Sequence, residues 1–127
     1  MLSVVAICVG ASLGALARWR LGLWLSPGGW LPWGTLAANL AGAYLIGALF
    51  VVLNSLSQLD PAWRLLLITG FLGALTTFST FSLEVMEMLQ SQRYLTAAGS
   101  TALHLGGSLA LTALGMVSAS YLIAARA

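Results

Sequence analysis

The sequence predicts an all-α membrane protein with four transmembrane helices, the third of which is broken at its centre. Of the 127 residues, 60% are hydrophobic and only 6% are charged. Soluble domains carry about 25% charged residues because their surface faces water. The few charges here separate long uncharged runs, and a membrane span needs roughly 20 apolar residues. Most of the surface is therefore expected to contact the lipid bilayer.

The uncharged runs place the spans at about residues 2–24, 33–53, 63–89 and 96–123. The connections between them are short, so neighbouring spans run antiparallel, and residues 1–127 form one four-helix transmembrane domain. The first run could also be a cleaved signal peptide, because Ala15-Leu16-Ala17 resembles a cleavage site. No Lys or Arg precedes it, however, as one normally does in a signal peptide.

The span ends carry the residues that set orientation in a membrane. All five tryptophans lie there, where their rings suit the headgroup layer: Trp19, Trp24, Trp30, Trp33 and Trp63. Four spans place Arg64 and Arg126 on one side and Arg18, Arg20 and Arg93 on the other. Because Lys/Arg asymmetry normally fixes orientation, this near balance indicates dual topology and an antiparallel homodimer.

Span two carries an amide at mid-membrane depth. Thr35 and Asn39 are four residues apart, which puts them on one helix face. Polar groups are costly in hydrocarbon, so each needs a partner or a function. Asn39 could bond two helices together, or it could line a path for a permeant species, and the spacing leaves both interpretations open.

Span three contains the most unusual segment of the chain. Five of the seven residues from Thr76 to Ser82 carry hydroxyl groups, and Gly70 and Gly73 precede them. Gly, Ser and Thr loosen a helix, so we predict a break here whose freed carbonyl oxygens face a cation. Phe78 and Phe81 interrupt the hydroxyls, and their positive ring edges could face an anion or simply pack between helices.

Span four repeats a polar residue every fourth position, which aligns them along one face: Ser100, His104, Ser108 and Thr112. This stripe is a polar track for a permeant species or a seam of hydrogen bonds between helices. A lone His104 is more often a packing residue than a ligand. Glu84 lies one turn beyond Phe81 near the end of span three, and its role is not assigned.

Three segments resemble the Fluc (CrcB-type) family of fluoride channels: Gly73 to Glu84, Gly34 to Gly42, and Gly14 to Arg18. They occur in the expected order in a chain of the expected size. The resemblance implies a dual-topology homodimer that exports fluoride passively, lowering its cytoplasmic concentration. It further implies a multi-pass protein of a bacterial inner (plasma) membrane, with pores along the dimer interface.

The resemblance also assigns roles to individual residues. Asn39 would donate hydrogen bonds to the anion, and Phe78 and Phe81 would offer ring edges. The remaining pore residues would be Thr35, Thr77, Ser79, Thr80, Ser108 and Thr112. Carbonyl oxygens of Gly73 and Thr76 from both subunits would hold a structural Na⁺, and Arg18 would lie in the vestibule. Ala74 departs from the second Gly that many members have, and position 104 varies.

Other function classes fit the sequence less well. A small proton-coupled multidrug exporter also has four spans, but it needs a membrane-embedded carboxylate early in the chain, and span one has none. A non-transporting assembly subunit would use Asn39 and the hydroxyls for packing alone. One His and one Cys, with no acid–base constellation, argue against an enzyme. The absence of Lys and of any basic run argues against a nucleic-acid partner.

Overall fold

The computed structural model describes residues 1–26, 28–56 and 58–125, and the regular structure in them is helical. Its long apolar segments are Leu2–Leu25, Trp33–Ser55, Pro61–Gln90 and Tyr94–Ala124, each long and apolar enough to cross a membrane. The four predicted spans are thus confirmed, with ends that differ by no more than a few residues. Arg126, which entered the topology argument, lies outside the described residues, as does Pro27 in the first connection.

The third span consists of two helices, as the sequence predicts. We label Leu2–Leu25 α1, Trp33–Ser55 α2, residues 61–75 α3, Phe78–Gln90 α4 and Tyr94–Ala124 α5. Between α3 and α4, Thr76 (φ −82°, ψ 154°) and Thr77 (φ −153°, ψ 118°) are extended. The break therefore falls at the first two hydroxyl residues rather than at the glycines that precede them.

Two helices contain wider π-helical turns, one just before the break and the other in the fourth span. They span Leu65–Leu72 in α3 and Leu103–Gly107 in α5. Such turns are rare in ordinary helices and are often found at functional sites. At its start, α3 is capped by Asp60, whose Oδ1 accepts from the Ala62 amide at 2.8 Å, and Pro61 occupies the first helical position.

Glycines allow α1 and α3 to approach backbone to backbone. A Cβ added to Gly10 would meet the Leu66 carbonyl oxygen, and one added to Gly14 would meet that of Phe71. The same device joins α2 to α5, where a Cβ on Gly47 would meet the Thr112 carbonyl oxygen. Lipid gives no hydrophobic drive between helices, so close van der Waals contact of this kind stabilises the bundle.

The turns that join the spans are fixed by arginines. Arg64 donates to the Leu53 carbonyl at 2.8 Å and to Asn54 Oδ1 at 2.7 Å, which closes the end of α2. Arg93 donates to the Trp30 carbonyl, so the α1–α2 and α4–α5 connections meet at one end of the bundle. Arg64 is therefore at the opposite end, as the antiparallel order predicts.

Candidate anion site at the helix break

A cavity of about 510 Å³ opens beside the break, between α2, α3, α4 and α5. Most of its lining surface is apolar. Eight residues of the predicted site line it: Asn39, Gly73, Thr76, Thr77, Phe78, Phe81, Ser108 and Thr112. The tertiary structure thus brings together residues from three spans that the sequence could only assign to faces.

Asn39 bridges the broken backbone. Its Oδ1 accepts from the Thr77 amide at 2.7 Å, and its Nδ2 donates to the Thr77 carbonyl at 3.0 Å. Nδ2 also lies 3.1 Å from His104 Nδ1. The side-chain amide therefore pairs both backbone polar groups of Thr77, as a neighbouring β-strand would. Backbone polar groups in the membrane interior need such partners.

Thr77 begins α4 as its N-cap. Its Oγ1 accepts from the Thr80 amide at 3.1 Å and donates to Thr80 Oγ1 at 3.0 Å, and Ser79 Oγ lies 3.3 Å away. Such a cap satisfies one of the free amides of the first turn. Because the N-terminus of a helix carries partial positive charge, α4 directs a weak positive potential toward the cavity.

The break diverts two amides from their usual helical partners. In a continuous helix the Thr77 amide would bond to the Gly73 carbonyl and the Thr80 amide to the Thr76 carbonyl. Here these amides bond to Asn39 Oδ1 and Thr77 Oγ1 instead. Gly73 and Thr76, the two predicted cation ligands, thereby lose these hydrogen bonds to their carbonyl oxygens, and such oxygens are the ligand type that hard cations prefer.

Three rings form a row beside the break. Phe78 and Phe81 have centroids 5.5 Å apart and planes tilted by 60°. Phe81 stacks on the His104 imidazole at 4.4 Å with 25° between the planes. Phe78 is 72% exposed, whereas Phe81 is only 6% exposed. The two phenylalanines, equivalent in the sequence motif, therefore have different surroundings in the single chain.

The polar path continues from the cavity toward one end of the bundle. Thr35 lies one turn before Asn39 on α2, and its hydroxyl donates to Glu84 Oε1 at 2.5 Å. Glu84 is half-buried, and its Oε2 is buried without a hydrogen-bond partner among the described residues. The sequence pattern does not assign a role to Glu84, although its place one turn beyond Phe81 is a signal that links it to the polar site.

The other predicted residues occupy varied positions. Ser108 and Thr112 both line the cavity. The Thr112 hydroxyl also donates to the Ala43 carbonyl on α2 at 3.0 Å. Ser79 is exposed, and Thr80 is partly buried in the cap. Arg18 is half-buried on α1 and does not line the cavity, so its vestibule role stays a prediction.

Comparison with known proteins identifies the family. A family profile described as CrcB-like protein, Camphor Resistance (CrcB), matches residues 5–116. A protein of Albidiferax ferrireducens named fluoride-specific ion channel FluC is 65% identical, covering 98% of this chain and 95% of the relative. Relatives of the same name in Paracidovorax citrulli and Variovorax paradoxus are 59% and 58% identical, each over 98% of this chain and 98% and 99% of their own.

These relatives are bacterial, and the four apolar helices identify a multi-pass protein of the inner membrane. The profile match extends over all four spans. It begins in α1 and ends at residue 116, within α5. Both the predicted resemblance and the confirmed helix break agree with this assignment. The chain belongs to the CrcB family.

Proposed function

We propose that this protein is a fluoride-selective channel through which F⁻ leaves the cell down its electrochemical gradient. The observation that carries the proposal is the cavity at the helix break, where two phenylalanines and a set of neutral polar groups meet. The names of the relatives support the same function. A channel passes its ion without changing it chemically, so the chain is not an enzyme.

The chemistry of the cavity suits a small anion that must keep moving. Its described lining includes no Lys or Arg, so attraction comes from weaker sources: the positive edges of Phe78 and Phe81, the N-terminus of α4 and hydroxyl donors. Conduction requires binding strong enough to admit the ion and weak enough to release it. Neutral donors and ring edges meet that requirement better than a full positive charge would.

Asn39 contributes chiefly by holding the break open. Its donor hydrogens point to the Thr77 carbonyl and His104 Nδ1. Donation to a passing anion therefore requires one of these bonds to exchange. In this proposal Asn39 positions the pore lining first, and it serves the anion directly only when the His104 contact opens.

The working channel in this proposal is an antiparallel homodimer with a structural Na⁺ on its two-fold axis. The carbonyls of Gly73 and Thr76 fit such an ion, since both lose a helical partner, and Gly73 is exposed. A two-fold axis would double these oxygens to four. The exposed ring of Phe78 at mid-membrane supports the same assembly. When bound, the cation would supply positive charge that keeps the freed carbonyls in place.

Reconstitution in liposomes tests the function. Vesicles loaded with KF or KCl and made permeable to K⁺ are diluted into ion-free buffer, and anion efflux is followed with selective electrodes. We expect rapid loss of F⁻ with Cl⁻ retained, relative to protein-free vesicles. Retention of F⁻ would refute the proposal. The family and the names of the relatives do not support a proton-coupled multidrug exporter. Such an exporter would instead take up a lipophilic cation when a pH gradient is applied.

A further inference from the structure

Three buried side-chain atoms have no hydrogen-bond partner in the part of the chain that the structure describes: Glu84 Oε2, Ser100 Oγ and His104 Nε2. Only His104 among these three residues also lines the cavity at the break. Its side chain is 5% exposed. A buried N–H that lacks an acceptor costs more than it would in water, so such a group favours any acceptor that comes within reach.

The bonds around Asn39 decide which imidazole nitrogen carries the proton. The Thr77 amide can only donate, so the atom it meets at 2.7 Å must be the amide oxygen of Asn39. The amide nitrogen then faces the Thr77 carbonyl and His104 Nδ1. Because an amide nitrogen only donates, Nδ1 must accept, and the proton of a neutral imidazole lies on Nε2.

We propose that Asn39 locks His104 in the Nε2–H tautomer and that this N–H is a hydrogen-bond donor to the permeating anion. The inference rests on the proposed fluoride conduction. It assigns the donor role mainly to His104 and a positioning role to Asn39, whose own hydrogens are already engaged. A neutral imidazole donates without a net charge, and it therefore binds an anion without trapping it.

Phe81 packs on the ring that carries this donor. Its ring stacks on the imidazole at 4.4 Å, and Nε2 has almost no accessible surface in this arrangement. An anion in the cavity therefore meets Nε2–H only after side chains around the imidazole move. The neighbouring edge of the Phe81 ring remains available to the anion, so the ring and the imidazole act on it in succession.

Nitrogen NMR of the protein in bilayers reads the tautomer directly. His104 is the one histidine of the chain, so a preparation without a histidine tag gives a single imidazole pattern. We expect a protonated Nε2 and a bare Nδ1, with the Nε2–H signal shifted by F⁻ and not by Cl⁻. A proton on Nδ1, or an Nε2–H signal that F⁻ leaves unchanged, would overturn the inference.

Asn39→Asp tests whether the Asn39 amide sets the His104 tautomer. An aspartate can accept from Nδ1–H but cannot donate to Nδ1, so the imidazole proton is expected to move to Nδ1. A variant that keeps the native Nε2–H pattern would show that Asn39 does not set the tautomer.

A pair of isosteres tests the donor in flux measurements. The amide of His104→Asn lies near the Nδ1 position and that of His104→Gln near the Nε2 position, so only Gln retains a donor toward the anion. We expect His104→Asn to lower F⁻ efflux about tenfold or more, as for loss of a hydrogen bond to a charged group, and His104→Gln to restore part of it. Native flux in His104→Asn refutes the inference alone, whereas absence of flux in the unmodified protein refutes the proposed function.

Discussion

The two halves of the third span make different kinds of contact, although they belong to one apolar segment. α3 packs against α1 through glycines at Gly10, Gly14 and Gly70, and no side-chain hydrogen bond joins these helices among the described residues. α4 faces α2 and α5 with polar and aromatic groups, including the Thr35–Glu84 bond and the Phe81–His104 stack. α3 therefore anchors the span and closes one side of the cavity, whereas α4 supplies the rings and polar contacts of the candidate site.

The contrast follows from the physics of helices in lipid. Apolar helices associate through close packing, because hydrocarbon offers no hydrophobic drive. Polar groups in hydrocarbon are costly and persist only with a partner or a function. Changes in the α1–α3 contact should therefore affect stability, whereas changes around α4 should affect anion flux.

The largest effect is expected at the glycine contact. Gly14→Ala forces a Cβ against the Phe71 carbonyl oxygen, and overpacking of this kind typically costs about 1–3 kcal/mol. Gly22→Ala on the same helix is the matched control, because its Cβ would meet nothing within 4 Å. Unfolding of the two variants in detergent measures the difference. Equal stability would contradict the role of α1–α3 packing.

A smaller effect, on flux rather than on stability, is expected at the ring row. Phe78→Ile and Phe81→Ile should each lower F⁻ efflux about three- to tenfold, on the basis that a ring edge contributes to the anion as much as it does to an aromatic pair, roughly 0.5–1.5 kcal/mol. Phe50→Ile, which replaces a ring that is 51% exposed on α2, serves as control. Size-exclusion profiles verify folding. Unchanged efflux in both ring variants would remove the anion role of the rings.

The smallest effect is expected at the turn that follows α4. Gln92 has φ 57°, a left-handed conformation in which a side chain costs roughly 1–2 kcal/mol. Gln92→Gly should stabilise the protein by about 0.5–1 kcal/mol. Glycine removes the steric cost, but it loses more backbone entropy on folding, and that loss offsets part of the gain. F⁻ efflux should not change, because the turn lies outside the cavity. A loss of stability would mean that the Gln92 side chain makes a compensating contact.

The sequence by itself determined the four spans and the break in the third. Lipid excludes charge and demands a fixed apolar length, and both constraints are visible in a linear chain. The hydroxyls from Thr76 onward weaken local helical bonding, so the break is a local property as well. One of the three segments that carry the family resemblance, Gly73 to Glu84, contains the same tract.

Only the tertiary structure decided which polar groups meet. Asn39 contacts residues 38 and 65 positions away, and Thr35 contacts Glu84 at a separation of 49. Helical periodicity assigns each residue to a face, but the rotation and depth of each helix decide which faces oppose each other. For that reason the bridge over the break and the imidazole tautomer could not be predicted from spacing, whereas the helices that carry them could.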